Sequence, residues 1–221
     1  MSKFLSLKLW FAFSTLALLA ACAQPVKHAD YTAFKNSRPR SILVLPPTNE
    51  TADVQATNSM LSQMTMPLAE AGYYVVPVAV MDETFKQNGL TTAADIQATS
   101  PAKLREIFGA DAALYCKVTQ YGTVYRVLDS ATVVTAGAKL VDLKTGDVLW
   151  QGTASASSNE GNNNSGGGLI GMLVTAAIKQ IANSLTDKSH DIAGVTSYRL
   201  LHAGPPSGLL YGPRSPKYGT D

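Results

Sequence analysis

The chain has 221 residues, 46% of them hydrophobic and 15% charged, with 18 Lys+Arg against 16 Asp+Glu. So even a balance excludes the clustered basic footprint of a nucleic-acid-binding surface. The length suits one domain that can build its core without disulfide staples.

Lys3 and Lys8 form a positive n-region, and Leu9 to Ala21 is apolar apart from Ser14 and Thr15. That run falls short of the roughly 20 residues a membrane-spanning helix needs but suits a secretory h-region. Leu19-Ala20-Ala21-Cys22 resembles a lipobox. On that resemblance the chain is cut between Ala21 and Cys22, and Cys22 becomes the lipidated first residue; no cofactor is expected beyond this covalent lipid. An ordinary signal peptide with an incidental cysteine is the other reading. Processing takes Lys3 and Lys8 from the 18 basic residues and leaves 16 against 16. Acyl chains would then hold the protein on the membrane, each buried CH₂ contributing about 0.8 kcal/mol. Ala23 and Gln24 follow the cysteine, with no Asp at the position associated with inner-membrane retention. The expected location is the outer membrane, facing the periplasm. With Cys22 lipidated, Cys116 stands alone and reads as a buried, inert thiol.

Residues 22–40 read as the lipidated cysteine and a tether, with Pro25, Pro39 and scattered apolar residues. A flexible chain of that length spans roughly 20–25 Å, and Tyr31 and Phe34 are the residues able to dock it. Ile42-Leu43-Val44-Leu45, ended by Pro46-Pro47, reads as a central strand buried on both faces. Asp53 is the expected N-cap of a helix whose face repeats through Thr57, Leu61, Met64, Leu68 and Ala71. Pro67 should kink or restart that helix, and Gly72 should close it. Tyr73 to Val78 is the second strand, and such a β-α-β unit defaults to parallel pairing with a right-handed crossover. Helices are expected over about Met81 to Asn88, and from Ser100-Pro101, a cap followed by a first-turn proline, to Phe108-Gly109. Ala112 to Gln120 is the third strand, with an extension through Val127 open. Thr132 to Leu143 and Val148 to Ser157 alternate, with turn chemistry between them at Asp142 to Asp147. The fold class is mixed α/β: a β-α-β opening followed by an antiparallel meander, with helices packed on the sheet.

Residues 158–168 are a flexible loop by composition, and Leu169 to Leu185 is a helix. The globular domain is expected over 41–195, and 196–221 is a Pro/Gly-rich tail, loose or strapped along the domain.

Catalytic residues are scarce. His28, His190 and His202 lie away from any nucleophile or acidic orienter and read as solvated. No H-E-x-x-H, C-x-x-C pair or carboxylate-rich calcium loop occurs, so no metal is expected. Asp82-Glu83 follow the second strand, where α/β proteins place functional groups, or simply favour a helix N-terminus. Gly166 to Gly171 has the G-x-G-x-x-G spacing before a helix, but without the compact β-α-β context it reads as a hinge. Leu169, Ile170, Met172 and Leu173 leave the last helix almost no polar face in its first half. Either the domain's own sheet covers them, or they are an interaction surface for a second copy or a partner's groove. Tyr121, Tyr125 and Trp150 are core residues or aromatic anchors of a surface.

Several of these segments together carry a resemblance. They are the lipobox, Ile42-Leu43-Val44-Leu45-Pro46-Pro47, Leu68-Ala69-Glu70-Ala71-Gly72-Tyr73-Tyr74-Val75, the hairpin from Val141 to Trp150, and the ending Tyr211 to Tyr218. Together they resemble a family of bacterial lipoproteins of unassigned function, one branch of which is a neisserial surface-antigen lipoprotein. The resemblance spans nearly the whole chain and brings no catalytic motif. More distantly, the opening and the hairpin resemble the TolB amino-terminal domain and the periplasmic domains of CsgG and LpoB, which are binding and assembly modules. No CsgG-type membrane-spanning hairpin is evident. The expected function is a non-enzymatic outer-membrane lipoprotein, a periplasm-facing scaffold or accessory subunit of an envelope assembly or secretion complex. Its expected partners are the membrane, through the lipid anchor, other envelope proteins and a second copy of itself. The alternatives are a small-ligand-binding component of an envelope transport system, with its site in the crevice at Pro46-Pro47 and Val78 to Asp82, or a peptidoglycan-synthesis regulator of the LpoB kind.

Overall fold

A computed structural model describes residues 29–125, 130–160 and 187–221. Ala21, Cys22, His28, the Gly-rich loop and Leu169, Ile170, Met172 and Leu173 lie outside the described residues.

The first apolar run forms β1 (Ser41–Val44), with Ile42, Leu43 and Val44 buried. Prolines donate no N–H to a ladder, so Pro46-Pro47 break the strand. The chain then rejoins the same neighbour as β2 (Thr48–Asn49). In α2 (Ala56–Glu70), Leu61, Met64 and Leu68 of the predicted face are buried, with Met60 beside them, while Thr57 is half-buried. Its N-cap is Gln55, and Asp53 instead accepts the Gln55 N–H at 2.9 Å. Pro67 does not restart the helix, which runs on to Glu70. So near the C-terminus its ring disrupts little beyond one hydrogen bond. Gly72, at φ +98°, ends it.

The second strand is only β3 (Tyr74–Val75), because Pro77 turns the chain at once into α3 (Val78–Gln87). Next comes α4 (Ala93–Gln97), which the sequence reading did not anticipate; its Thr92 cap accepts the Asp95 N–H. α5 (Pro101–Phe108) starts at the Ser100 cap and stops at Gly109, φ +63°. The long strands are β4 (Ala112–Tyr125), β5 (Ser130–Asp142) and β6 (Val148–Ser157). They form the antiparallel half of a mixed sheet of order β3-β1-β4-β5-β6, in which β1 is parallel to β3 and β4.

Beyond 195 the chain continues α6 (Lys188–Leu201), capped by the Asp187 side chain, with Thr196, Ser197, Leu200 and Leu201 buried. Gly, Ser and Thr in its middle lower its intrinsic helix propensity, so packing defines it. α6 and α2 pack together on one face of the sheet. At the other boundary, α1 (Thr32–Ser37) occupies the segment expected as a tether. Phe34 is 3% exposed, the Tyr31 hydroxyl donates to Gly208 O at 2.6 Å, and Ser37 Oγ donates to the Asp142 carboxylate. Residues 202–221 are a strap. Gly212 N–H donates to Ala71 O at 2.8 Å and Arg214 N–H to Gly72 O at 3.0 Å. Its own Leu209 and Leu210 are buried. Backbone meets backbone there: a Cβ on Gly212 would lie 2.6 Å from Gly72 C.

Candidate functional site

Strand side chains alternate between faces, and the register tells where each set goes. Leu114, Cys116 and Val118 of β4 stand opposite Leu140, Ala138 and Ala136 of β5, and all are buried. The intervening positions carry Tyr115 and Lys117 on β4, paired with Lys139 and Gly137, and then Gln151 and Thr153 on β6. These polar residues line a groove of about 630 Å³ that Thr48 and Gln97 close on one side. The Gln97 amide fixes that wall by donating to Pro46 O at 2.8 Å and Cys116 O at 2.9 Å. The Lys139 ammonium lies 5.2 Å from the Tyr115 ring centroid, and Lys117 pairs with Glu50 at 3.0 Å. Ammonium, amide and hydroxyl donors around an aromatic ring can hydrogen-bond and stack on a polar surface or ligand.

The crevice expected at Pro46-Pro47 and Val78 to Asp82 is divided differently. Pro46 adjoins the groove through Gln97, while Val78 to Asp82 are the first turns of α3. Asp82 there pairs with Lys86 at 2.6 Å, and Glu83 accepts from Gln87 at 2.8 Å. Both are neighbours one helical turn apart on an exposed face. Cys116 is 1% exposed, and burial pushes its thiol up to about 12, which removes thiolate reactivity.

His190 is held rather than solvated. Its Nδ1 lies 2.9 Å from Ser59 Oγ and its Nε2 2.8 Å from the Gln63 amide, and the Tyr121 hydroxyl donates to Ser59 Oγ at 2.8 Å. A serine beside a histidine invites comparison with a nucleophile and its base. Here the ring's second nitrogen faces a neutral amide, where a triad places a carboxylate. Ser59 is also buried. The chain of contacts ties α6 to α2 and β4. Of the candidate aromatic anchors, Tyr121 and Trp150 are buried, and Trp150 Nε1 donates to Ser207 O at 2.9 Å. Tyr125 is 85% exposed. Among the described residues, no group of His, Cys, Asp and Glu is placed to hold a metal ion.

The polar face of β4 to β6 was legible in the alternation. The groove was not, because its wall is α4, a helix of five residues signalled only by the Thr92-x-x-Asp95 cap.

The family model described as "Putative lipoprotein GNA1162-like" matches residues 29–214. A lipoprotein of Neisseria meningitidis serogroup B (strain ATCC BAA-335 / MC58), NMB1124/NMB1162, is 54% identical over 201 residues, 91% of this chain and 93% of that one. The crystal structure of lipoprotein GNA1162 from Neisseria meningitidis is 58% identical in sequence, with a TM-score of 0.53, and covers 66% of this chain and 100% of its own. The LpoB C-terminal domain from Salmonella enterica is a remote likeness, at 22% identity and a TM-score of 0.38, over 53% of this chain and 82% of that one. Neither the family description nor the relative's name indicates an enzymatic activity. The chain belongs to the GNA1162-like lipoprotein family.

Proposed function

We propose that this protein is a non-enzymatic lipoprotein, acylated on Cys22 and held in the outer membrane facing the periplasm. There it serves as a scaffold or accessory subunit of an envelope assembly or secretion complex. The observation that carries this reading is the one-sided packing of the long strands. Two helices close one face of β4 to β6, while the other face presents the polar groove, with β6 at the edge of the sheet. A sheet left open on one side, with polar side chains and an edge strand, suits docking of a second chain. Leu169, Ile170, Met172 and Leu173 are a second proposed contact, made with another copy or another envelope protein.

In-cell cross-linking of the lipidated protein, followed by mass spectrometry, tests the reading. Links from Lys117 or Lys139 to an envelope protein, or to another copy, are expected; recovery of an uncross-linked monomer alone overturns it. The groove also favours a second reading, a ligand-binding component of an envelope transport system. A rise in melting temperature with an envelope metabolite, lost in Tyr115→Ala, would select that reading.

A further inference from the structure

The two ends of the sheet differ in what stands beside them. At one end lie the starts of β1 and β4, α1 and the strap; at the other lies Tyr125, the last residue of β4. Tyr31 is fixed to the strap through Gly208, so only the residues from Cys22 to Tyr31 separate the anchor from the folded domain. At about 3.5 Å per residue, that stretch reaches at most roughly 30 Å. β4 alone is roughly 40 Å long at the usual rise per residue. With Cys22 lipidated, the α1 and strap end stays within about 30 Å of the bilayer, and Tyr125 lies a strand's length further along the sheet.

The chemistry of that near end fits a headgroup layer. A cleft of about 360 Å³ opens between α1 and the strap, lined by Phe34, Lys35, Arg38, Tyr211, Tyr218 and Asp221 among others. Lys35, Arg38, Arg214 and Lys217 are exposed around it. None of the four is ion-paired with a carboxylate among the described residues. The Asp221 side chain is turned to the Tyr211 N–H at 2.7 Å. Tyr74 and Tyr218 are 45% and 48% exposed, with the Arg214 guanidinium 5.4 Å from the Tyr74 ring centroid. Exposed tyrosines beside unpaired cations suit the boundary between water and lipid, where the ring sits at headgroup depth and the cation meets phosphate.

We propose that this end of the domain, where Lys35 and Arg38 of α1 meet Arg214, Lys217 and Tyr218 of the strap, docks on the phospholipid surface in which Cys22 is anchored. The proposal rests on the lipidation of Cys22 in the reading above. Docking fixes the orientation of the domain: the cleft faces lipid, and the far end of β4 faces the periplasm.

A photo-crosslinking amino acid tests it in cells making the full chain with its own signal segment. Tyr218→p-benzoylphenylalanine is compared with Tyr125→p-benzoylphenylalanine, and the mass of the Cys22 peptide is read in the same sample. The expected result is an acylated Cys22, phospholipid adducts at position 218 and none at 125. Arg214→Gln and Lys217→Gln should each lower the lipid adducts at 218 roughly fivefold, the weight of one cation near an anionic surface. With Cys22 acylated, adducts at 218 to protein only, or lipid adducts equal at both positions, overturn the docking and leave the anchor standing. An unacylated Cys22 overturns both.

Discussion

Lys139 and Leu140 are neighbours on β5 that live in different solvents. Leu140 is fully buried beneath the helical layer, while Lys139 lies in the groove over the Tyr115 ring. The same division runs across β4 and β6, so one strand period separates the residues that hold the fold from those free to serve an interaction. Breaking that division should give the largest effect. Leu140→Ala leaves a cavity in the layer and should cost about 2–5 kcal/mol. Lys139→Ala removes one exposed cation–ring contact and should cost about 0.5–1 kcal/mol. Urea unfolding of the two variants checks this, and equal costs would mean that the two faces are not divided as described.

A pair of glycines sharpens the contrast between packed and open backbone. Gly72 has φ +98°, and a Cβ there would lie 2.4 Å from Ser215 N in the strap; Gly89 has φ +76° with nothing within 4 Å. Both substitutions to alanine incur the cost of a left-handed conformation, about 1–2 kcal/mol. Only Gly72→Ala must also push the strap away, which should bring its total to roughly 2–3 kcal/mol. Limited proteolysis should then cut between residues 203 and 221 in that variant and leave Gly89→Ala intact there.

How much of this was legible depends on where each element's order comes from. β1, α2 and the β4 to β6 meander announce themselves, because each carries its own periodicity over many residues. α1 does not: it is six residues long with one buried side chain, Phe34, and so short a helix draws its stability from what it packs on. The strap is held by Ala71, Gly72 and Tyr73, more than a hundred positions away, and nothing local in a run of prolines and glycines encodes those partners. His190 is not legible locally for the same reason, since Ser59 and Gln63 come to it from another helix. One hydrogen bond, from the Tyr31 hydroxyl to Gly208 O, joins the N-terminal helix to the strap directly.

Tyr121 and Tyr125, four residues apart on β4, give a smaller effect. Tyr121 is buried and donates to Ser59 Oγ, whereas Tyr125 is exposed. Tyr121→Phe should cost about 1–1.5 kcal/mol, the value of a buried hydrogen bond, and Tyr125→Phe about none. Thermal melts of the two single variants distinguish them. An equal loss in both would separate Tyr121 from the chain that links β4 to α2 and α6.

Asp142 should give the smallest effect, and it ties α1 to the turn between β5 and β6. Burial pushes its carboxyl up. The hydrogen bonds from Ser37, Thr145 and Lys144, with Arg105 nearby, outweigh that and leave it below its ordinary value. A carboxylate whose pKa is lower in the folded state stabilises the protein above its unfolded value of about 3.9, and that contribution is lost as the pH falls through the folded value. The wild-type chain should therefore lose stability from about pH 4 downwards. Asp142→Asn should cost about 1 kcal/mol at pH 7, because its amide oxygen still accepts while the charge is gone. It should also lack this component of the acid loss, so the two proteins converge as the pH drops. Since Ser37 ends α1 and bonds directly to this carboxylate, hydrogen exchange of α1 should quicken in the variant at pH 7 while α2 is unchanged. Equal quickening of both helices would mean that Asp142 supports the whole domain and not the docked N-terminal helix.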